Sequence, residues 1–156
     1  MNKFIILILS IHLFSHGVRA QGVEYKPGGK KFSRQWDAFY KGDHEPELPA
    51  PLISAGKAIV PSICDAVGHS DMRLRRYAIS ALGSLRDKRA IPTLMAIVNN
   101  AEEIDYFRGD ALEAIYKIDR KLGVSLSNQH INETNYLKHS VGTIQKLELK
   151  ASRNSN

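Results

Sequence analysis

Apolar residues recur at helical spacing through the middle of the chain. Val60, Ile63, Cys64 and Val67 fall at i, i+3, i+4 and i+7, and Leu74, Ala78, Ala81, Leu82 and Leu85 make a second stripe. The phrase Arg75-x-x-Ala78-x-x-Ala81-Leu82-x-x-Leu85 returns 33 residues later as Arg108-x-x-Ala111-x-x-Ala114-Ile115-x-x-Ile118. Each copy follows a shorter apolar run with a proline, Ile59-Val60-Pro61-Ser62-Ile63 and Ala90-Ile91-Pro92-Thr93-Leu94. The periodicity predicts four helices, over 57–68, 72–85, 88–99 and 104–122. Pro61 and Pro92 fit only near helix starts, where backbone donors have no intrahelical partner. Ser70, Asp71 and Asp87 supply capping oxygens, and Gly123 stands where a left-handed C-terminal cap is wanted. A repeat of this length implies stacked helix pairs, because one pair cannot cover its own apolar stripe.

The flanks follow a different pattern. From Gln21 to Pro51 the chain reads as loop, with Pro27-Gly28-Gly29-Lys30-Lys31 at one end and the proline-punctuated Glu45–Pro51 at the other. Between them Phe32, Trp36, Phe39 and Tyr40 repeat at helical spacing, so a short helix is expected to close the open end of the stack with its aromatic face. An exposed aromatic docking patch is the rival reading. Beyond Gly123 the chain turns polar through Asn135, and then Leu137, Val141 and Ile144 predict an amphipathic helix over 133–151. It is read as a C-terminal cap, against a tail that orders on a partner. The organisation expected is thus 1–20 leader, 21–51 cap and linker, 52–123 repeats, and 124–156 linker and final helix.

Composition adds a compartment. Met1-Asn2-Lys3 is a short basic start, Phe4 to Phe14 is an apolar stretch, and Val18-Arg19-Ala20 offers small residues for cleavage before Gln21. That order reads as an export signal, giving a periplasmic or secreted chain. The run is shorter than the ~20 apolar residues a membrane span needs, so no stable anchor is expected after cleavage. Cleavage removes Lys3 and Arg19, lowering the formal charge from +6 to +4. Between Lys57 and Gly123 stand 11 basic and 9 acidic side chains, interspersed as on a solvated helical surface. Arg73, Arg75, Arg76, Arg86, Lys88 and Arg89 gather near the repeat junction as in an anion-binding patch, but export argues against a nucleic acid partner. Cys64 is the sole cysteine, so no internal disulfide forms, and its place on an apolar face reads as packing rather than chemistry.

Residues 52–122 resemble two consecutive HEAT repeats, of the short kind also seen in phycobilisome-lyase-type proteins. The resemblance rests on Gly56-x-x-Ile59-Val60-Pro61, Asp71-x-x-Leu74-Arg75-x-x-Ala78-x-x-Ala81-Leu82-Gly83, Ala90-Ile91-Pro92-x-Leu94 and Phe107-Arg108-x-x-Ala111-x-x-Ala114-Ile115. It implies an all-α fold, a short α-solenoid of about two HEAT-like hairpins with the aromatic cap at one end and the final helix at the other. It also implies that Arg75 and Arg108 pair with acids in the turns, making Asp71, Asp87, Glu102 and Asp105 the expected partners. Finally, it implies a concave binding side lined by the second helix of each pair. Arg73, Tyr77, Ser80 and Ser84 lie there, with Tyr106, Asp110, Glu113 and Lys117 as counterparts and Arg76 at the edge. A bilin lyase activity is not expected, since two repeats are too few to enclose a bilin.

Catalytic motifs are missing from the sequence: it holds no local nucleophilic triad, phosphate-cradling glycine loop or zinc signature. His44-Glu45 is one His-Glu pair of the type that HEAT-like deoxyhypusine hydroxylases use for iron, but it stands alone and outside the repeats. Asp65, His69 and Asp71 are the other candidate, with the first two on one helix face and the third in the following turn. Asn132-Glu133-Thr134 matches a glycosylation acceptor. The expectation is a non-catalytic, exported protein–protein interaction module, scaffold or adaptor, with no cofactor and no metal. The alternative is a small exported metal-binding protein or enzyme using Asp65, His69 and Asp71.

Overall fold

The computed structural model describes residue 27, residues 30–133 and residues 135–154. The leader expected over 1–20 lies outside the described residues, as do 21–26, Gly28, Gly29 and the Thr134 of the glycosylation match. The described residues form eight α-helices in order: α1 Ser33–Lys41, α2 Ala50–Ser54, α3 Val60–Val67, α4 Arg75–Leu85, α5 Ile91–Asn99, α6 Asp105–Ile118, α7 Arg120–Gln129 and α8 Asn135–Arg153. No strand occurs among the described residues, and the fold is a short all-α solenoid. The two hairpins expected from the repeat are α3–α4 and α5–α6, with α4 packed along α6. Pro61 and Pro92 are the second residues of α3 and α5, within the first turn, where they remove no helical hydrogen bond. Asp87 accepts from the Arg89 backbone N–H at 3.0 Å at the turn preceding α5. Ala78, Ala81, Leu82, Ala111, Leu112 and Ile115 are fully buried, and the alanines let α4 and α6 approach closely.

The C-terminal third departs from expectation. The helix expected over 104–122 ends at Ile118, and its expected last turn joins part of the polar stretch expected from 124 in a separate helix, α7, over Arg120–Gln129. Asp119 makes the break: its backbone is extended (φ −140°, ψ 97°), and its carboxylate accepts from Leu122 N–H at 3.2 Å. That is an N-cap, achieved with neither glycine nor proline. Gly123 is therefore no left-handed cap but a buried position inside α7, where a Cβ would press on the Tyr116 backbone. With α8 packed along α6 and against α7, the last two helices form a third hairpin. Three hairpins are about the minimum at which such stacks bury a continuous core.

The arginines of the repeated phrase join successive hairpins. Arg75, 3% exposed, donates from Nε to Val67 O at 2.7 Å and from Nη2 to Glu103 at 2.8 Å, and its guanidinium rests over the Phe107 ring at 4.7 Å. Arg108 repeats the arrangement with Val98 O at 3.0 Å and Glu133 at 3.1 Å, with Asp105 further off at 3.7 Å. Of the expected partners only Asp105 takes part. Glu103 replaces Glu102, and Asp87 is engaged by Arg89 instead. Leu74, expected in the α4 stripe, lies just before the helix in left-handed backbone (φ 59°), so α4 begins at Arg75 rather than Met72.

At the N-terminal end α1 and α2 pair, and α2 packs on α4. Phe39 is fully buried and Trp36 nearly so, with the Trp36 indole N–H donating to Ser62 Oγ at 3.1 Å. The aromatic face closes the stack as expected, so it is not the exposed docking patch.

Candidate functional site

The second helices of the three hairpins, α4, α6 and α8, lie side by side and form one surface. An open cleft of about 420 Å³ runs over it, lined by Arg76, Tyr77 and Ser80 of α4, Asp110, Glu113, Ala114 and Lys117 of α6, Tyr136 of α8, and Glu45 and Pro46. Arg76, Asp110 and Tyr136 meet at its end. Arg76 Nε lies 2.8 Å from Asp110 Oδ2, Arg76 Nη2 donates to the Tyr136 hydroxyl at 2.5 Å, and that hydroxyl donates to Asp110 Oδ1 at 3.3 Å. One residue from each hairpin thus enters a single polar cluster. Gly109 makes room for it, since a Cβ there would stand 2.7 Å from the Tyr136 ring. Gly109 occupies in α6 the place of Arg76 in α4.

Burial and charge oppose each other at this cluster. Burial pushes the Asp110 carboxyl above its ordinary value against the pull of the Arg76 guanidinium. Partial burial works against Arg76, but Asp110 and Tyr136 outweigh it and hold the guanidinium more firmly charged. Tyr136 is raised by burial and then by Asp110, and Tyr77 by its hydrogen bond with Glu45. The phenols therefore remain neutral donors at physiological pH. On the far side of Arg76 and Tyr136 a second, more apolar depression of about 590 Å³ opens, lined by Met72, Leu74, Ile104, Tyr106 and Phe107 together with Ser70, Asp71 and Arg75. Ile104 is 52% exposed and Tyr106 39%. A polar, tyrosine-rich half and an apolar half thus adjoin across one shared pair of residues.

Of the nine residues expected on the concave side, Arg76, Tyr77, Ser80, Asp110, Glu113 and Lys117 line the cleft, and Tyr106 lines the adjoining depression. Arg73 and Ser84 do not join them. Arg73 reaches back to the N-terminal cap, donating to Tyr40 O at 2.9 Å with its guanidinium 5.1 Å from that ring. Ser84 is exposed one turn beyond the cleft. Tyr136 is not among the expected site residues, because it lies in the first turn of the helix expected over 133–151, which the sequence reads as a cap rather than as part of the binding side. Glu45 and Pro46, from the proline-punctuated stretch that also holds the His44-Glu45 pair, supply one wall.

Metal chemistry finds little footing among the described residues. No three His, Cys, Asp or Glu side chains gather closely enough to hold an ion, so Asp65, His69 and Asp71 do not form a ligand set. Cys64 is half-buried, and burial pushes its thiol above the ordinary value despite a hydrogen bond with Thr93. No single described helix is long and apolar enough to cross a membrane.

Residues 52–116 match the family model for HEAT repeats, which covers the first two hairpins up to the last turn of α6. The match supports a HEAT-repeat protein, and such repeats commonly serve as protein-interaction modules. No curated protein and no solved structure matches the chain.

Proposed function

We propose that the chain is an exported, non-catalytic interaction module that holds another protein across the surface of α4, α6 and α8. The supporting observation is the convergence of Arg76, Tyr77, Asp110 and Tyr136, from all three hairpins, on one cleft with an apolar depression beside it. Tyrosine and arginine are the residue types that most often anchor interfaces, because each joins a large contact area to directed hydrogen bonds. An adaptor role also suits a surface on which Arg76 and Asp110 are already paired, since the partner then need not neutralise either charge. Export to the periplasm or beyond rests on the leader read over residues 1–20.

Site-specific photo-crosslinking in the native host tests this reading. A photoreactive residue at Ser80, inside the cleft, is expected to give a discrete protein adduct, while one at Ser125, exposed on α7, gives none. Equal yields from both positions, or none from Ser80, would refute the assignment. Fractionating the same cells tests export, which retention of the uncleaved chain in the cytoplasm would contradict.

A further inference from the structure

Formal charge is unevenly spread along the chain. Residues 21–119 hold 14 basic and 14 acidic side chains, whereas residues 120–156 hold six basic and two acidic ones. The whole positive excess beyond the expected leader therefore sits on the third hairpin. Within α8 the buried face is Leu137, Ser140, Val141 and Ile144. At 100° per residue, Lys146 lies about 200° from Ile144, on the opposite side, together with Lys138, Leu149, Lys150 and Arg153. All five are exposed, and Leu149 is 59% exposed in the midst of Lys146, Lys150 and Arg153. Leu147, 45% exposed, lies about 160° round the helix from Leu149, at the edge of the buried face.

The only acid of α8 does not offset this charge. Glu148 faces inward, held by Arg120 at 2.6 and 3.0 Å and by the Tyr116 hydroxyl at 2.8 Å. The cationic stripe from Lys138 to Arg153 is about 22 Å long at 1.5 Å per residue. It lies on the side of α8 opposite the face that packs on α6 and α7.

We propose that this terminal face docks on an anionic lipid bilayer. Cations flanking an exposed leucine on one side of a helix match the bilayer interface: the ammonium and guanidinium groups meet headgroup phosphates while Leu149 reaches the acyl boundary. A bare polyanion would satisfy the cations but leave Leu149 in water. A second copy stacked on the same face would set like charges against each other. The stripe shares no residue with the cleft over α4 and α6, which stays open.

Flotation with vesicles tests the proposal, using the chain from Gln21 onward, which contains every described residue. Binding is expected to vesicles of phosphatidylglycerol mixed with phosphatidylcholine, weakening with salt, and not to phosphatidylcholine alone. Each cation near such a surface contributes about fivefold, so removing Lys146, Lys150 and Arg153 together by alanine substitution lowers partitioning by about 100-fold. Leu149→Ser lowers it by about tenfold, because an apolar anchor is lost. Lys41→Ala with Lys57→Ala, at the other end of the stack, leaves it unchanged. All these positions are exposed, so circular dichroism should be unaltered. Equal recovery with both vesicle types, equal loss with the control pair, or duplex DNA binding together with indifference to Leu149→Ser would each overturn the proposal.

Discussion

Two glycines on neighbouring helices should respond oppositely to the same substitution. Gly123 lies buried within α7, where a Cβ would abut Tyr116 Cα, stand 2.6 Å from Tyr116 Cβ and 2.9 Å from its backbone nitrogen. Those are largely main-chain atoms of α6, and no rotamer change can clear them. Overpacking of this kind costs roughly 1–3 kcal/mol, against about 1 kcal/mol that Ala gains over Gly within a helix. Gly123→Ala should therefore lose up to about 2 kcal/mol, a large share of the ~5–15 kcal/mol that holds a domain folded. Gly142, in α8, has nothing within 4 Å of its added Cβ. Gly142→Ala should gain about 0.5–1 kcal/mol from propensity alone. Urea unfolding at matched slope measures both. Gly123→Asn separates the crossing from a left-handed helix cap, which Asn tolerates, so at the crossing it must be worse than Ala. Stabilisation by both alanines, or a milder Asn than Ala at 123, would refute the α6–α7 crossing and with it the third hairpin.

Three further outcomes are expected. Arg75→Ala leaves Glu103 and Val67 O without their buried partner and should cost about 3–5 kcal/mol, measured by the same unfolding assay. Acid should destabilise the chain. Asp87 is lowered to about 2 by the Arg89 side chain and backbone, and Glu103 is lowered because its burial is outweighed by the Arg75 hydrogen bond, the Ile104 N–H and the Arg75 charge acting together, so both carboxylates stabilise the fold above their ordinary values. That contribution fades as pH falls from about 4 toward 2. Asp110 has the opposite sign: its raised value favours the fold when protonated and is lost as pH rises. Carboxyl NMR should thus show Asp110 protonating at higher pH than Asp87. Finally, Cys64 should react slowly with a thiol reagent at neutral pH in the native chain, since burial raises its thiol, and rapidly once unfolded.

Hairpins one and two were legible in the sequence because Ala, Leu and Ile mark their buried stripes in a repeated phrase. The third was not, for a physical reason. Helix α7 packs through Gly123, Leu126 and Ser127, and two of those three buried residues carry no apolar signal. Its separation from α6 depends on the backbone of Asp119 and one carboxylate hydrogen bond, which look in sequence like any polar residue in a helix. The concave residues followed from helical spacing, so most met in one cleft. Arg73 strayed because Tyr40 of the N-terminal cap offered both a carbonyl and a ring. Tyr136 stayed hidden because its partners, Arg76 and Asp110, lie 60 and 26 residues away. Pairing Arg75 with Glu103 rather than Glu102 depends on how the 100–104 turn aims adjacent side chains, which charge patterning does not encode.

The interaction surface is tested most directly by the affinity of the chain from Gln21 onward for the protein that crosslinks at Ser80. Tyr77→Ala combined with Tyr136→Ala should weaken that affinity by about 100-fold or more, as the loss of two central anchors does, while the Lys41→Ala and Lys57→Ala pair leaves it unchanged. An affinity unmoved by the tyrosine pair, with the helical circular dichroism intact, would contradict the account.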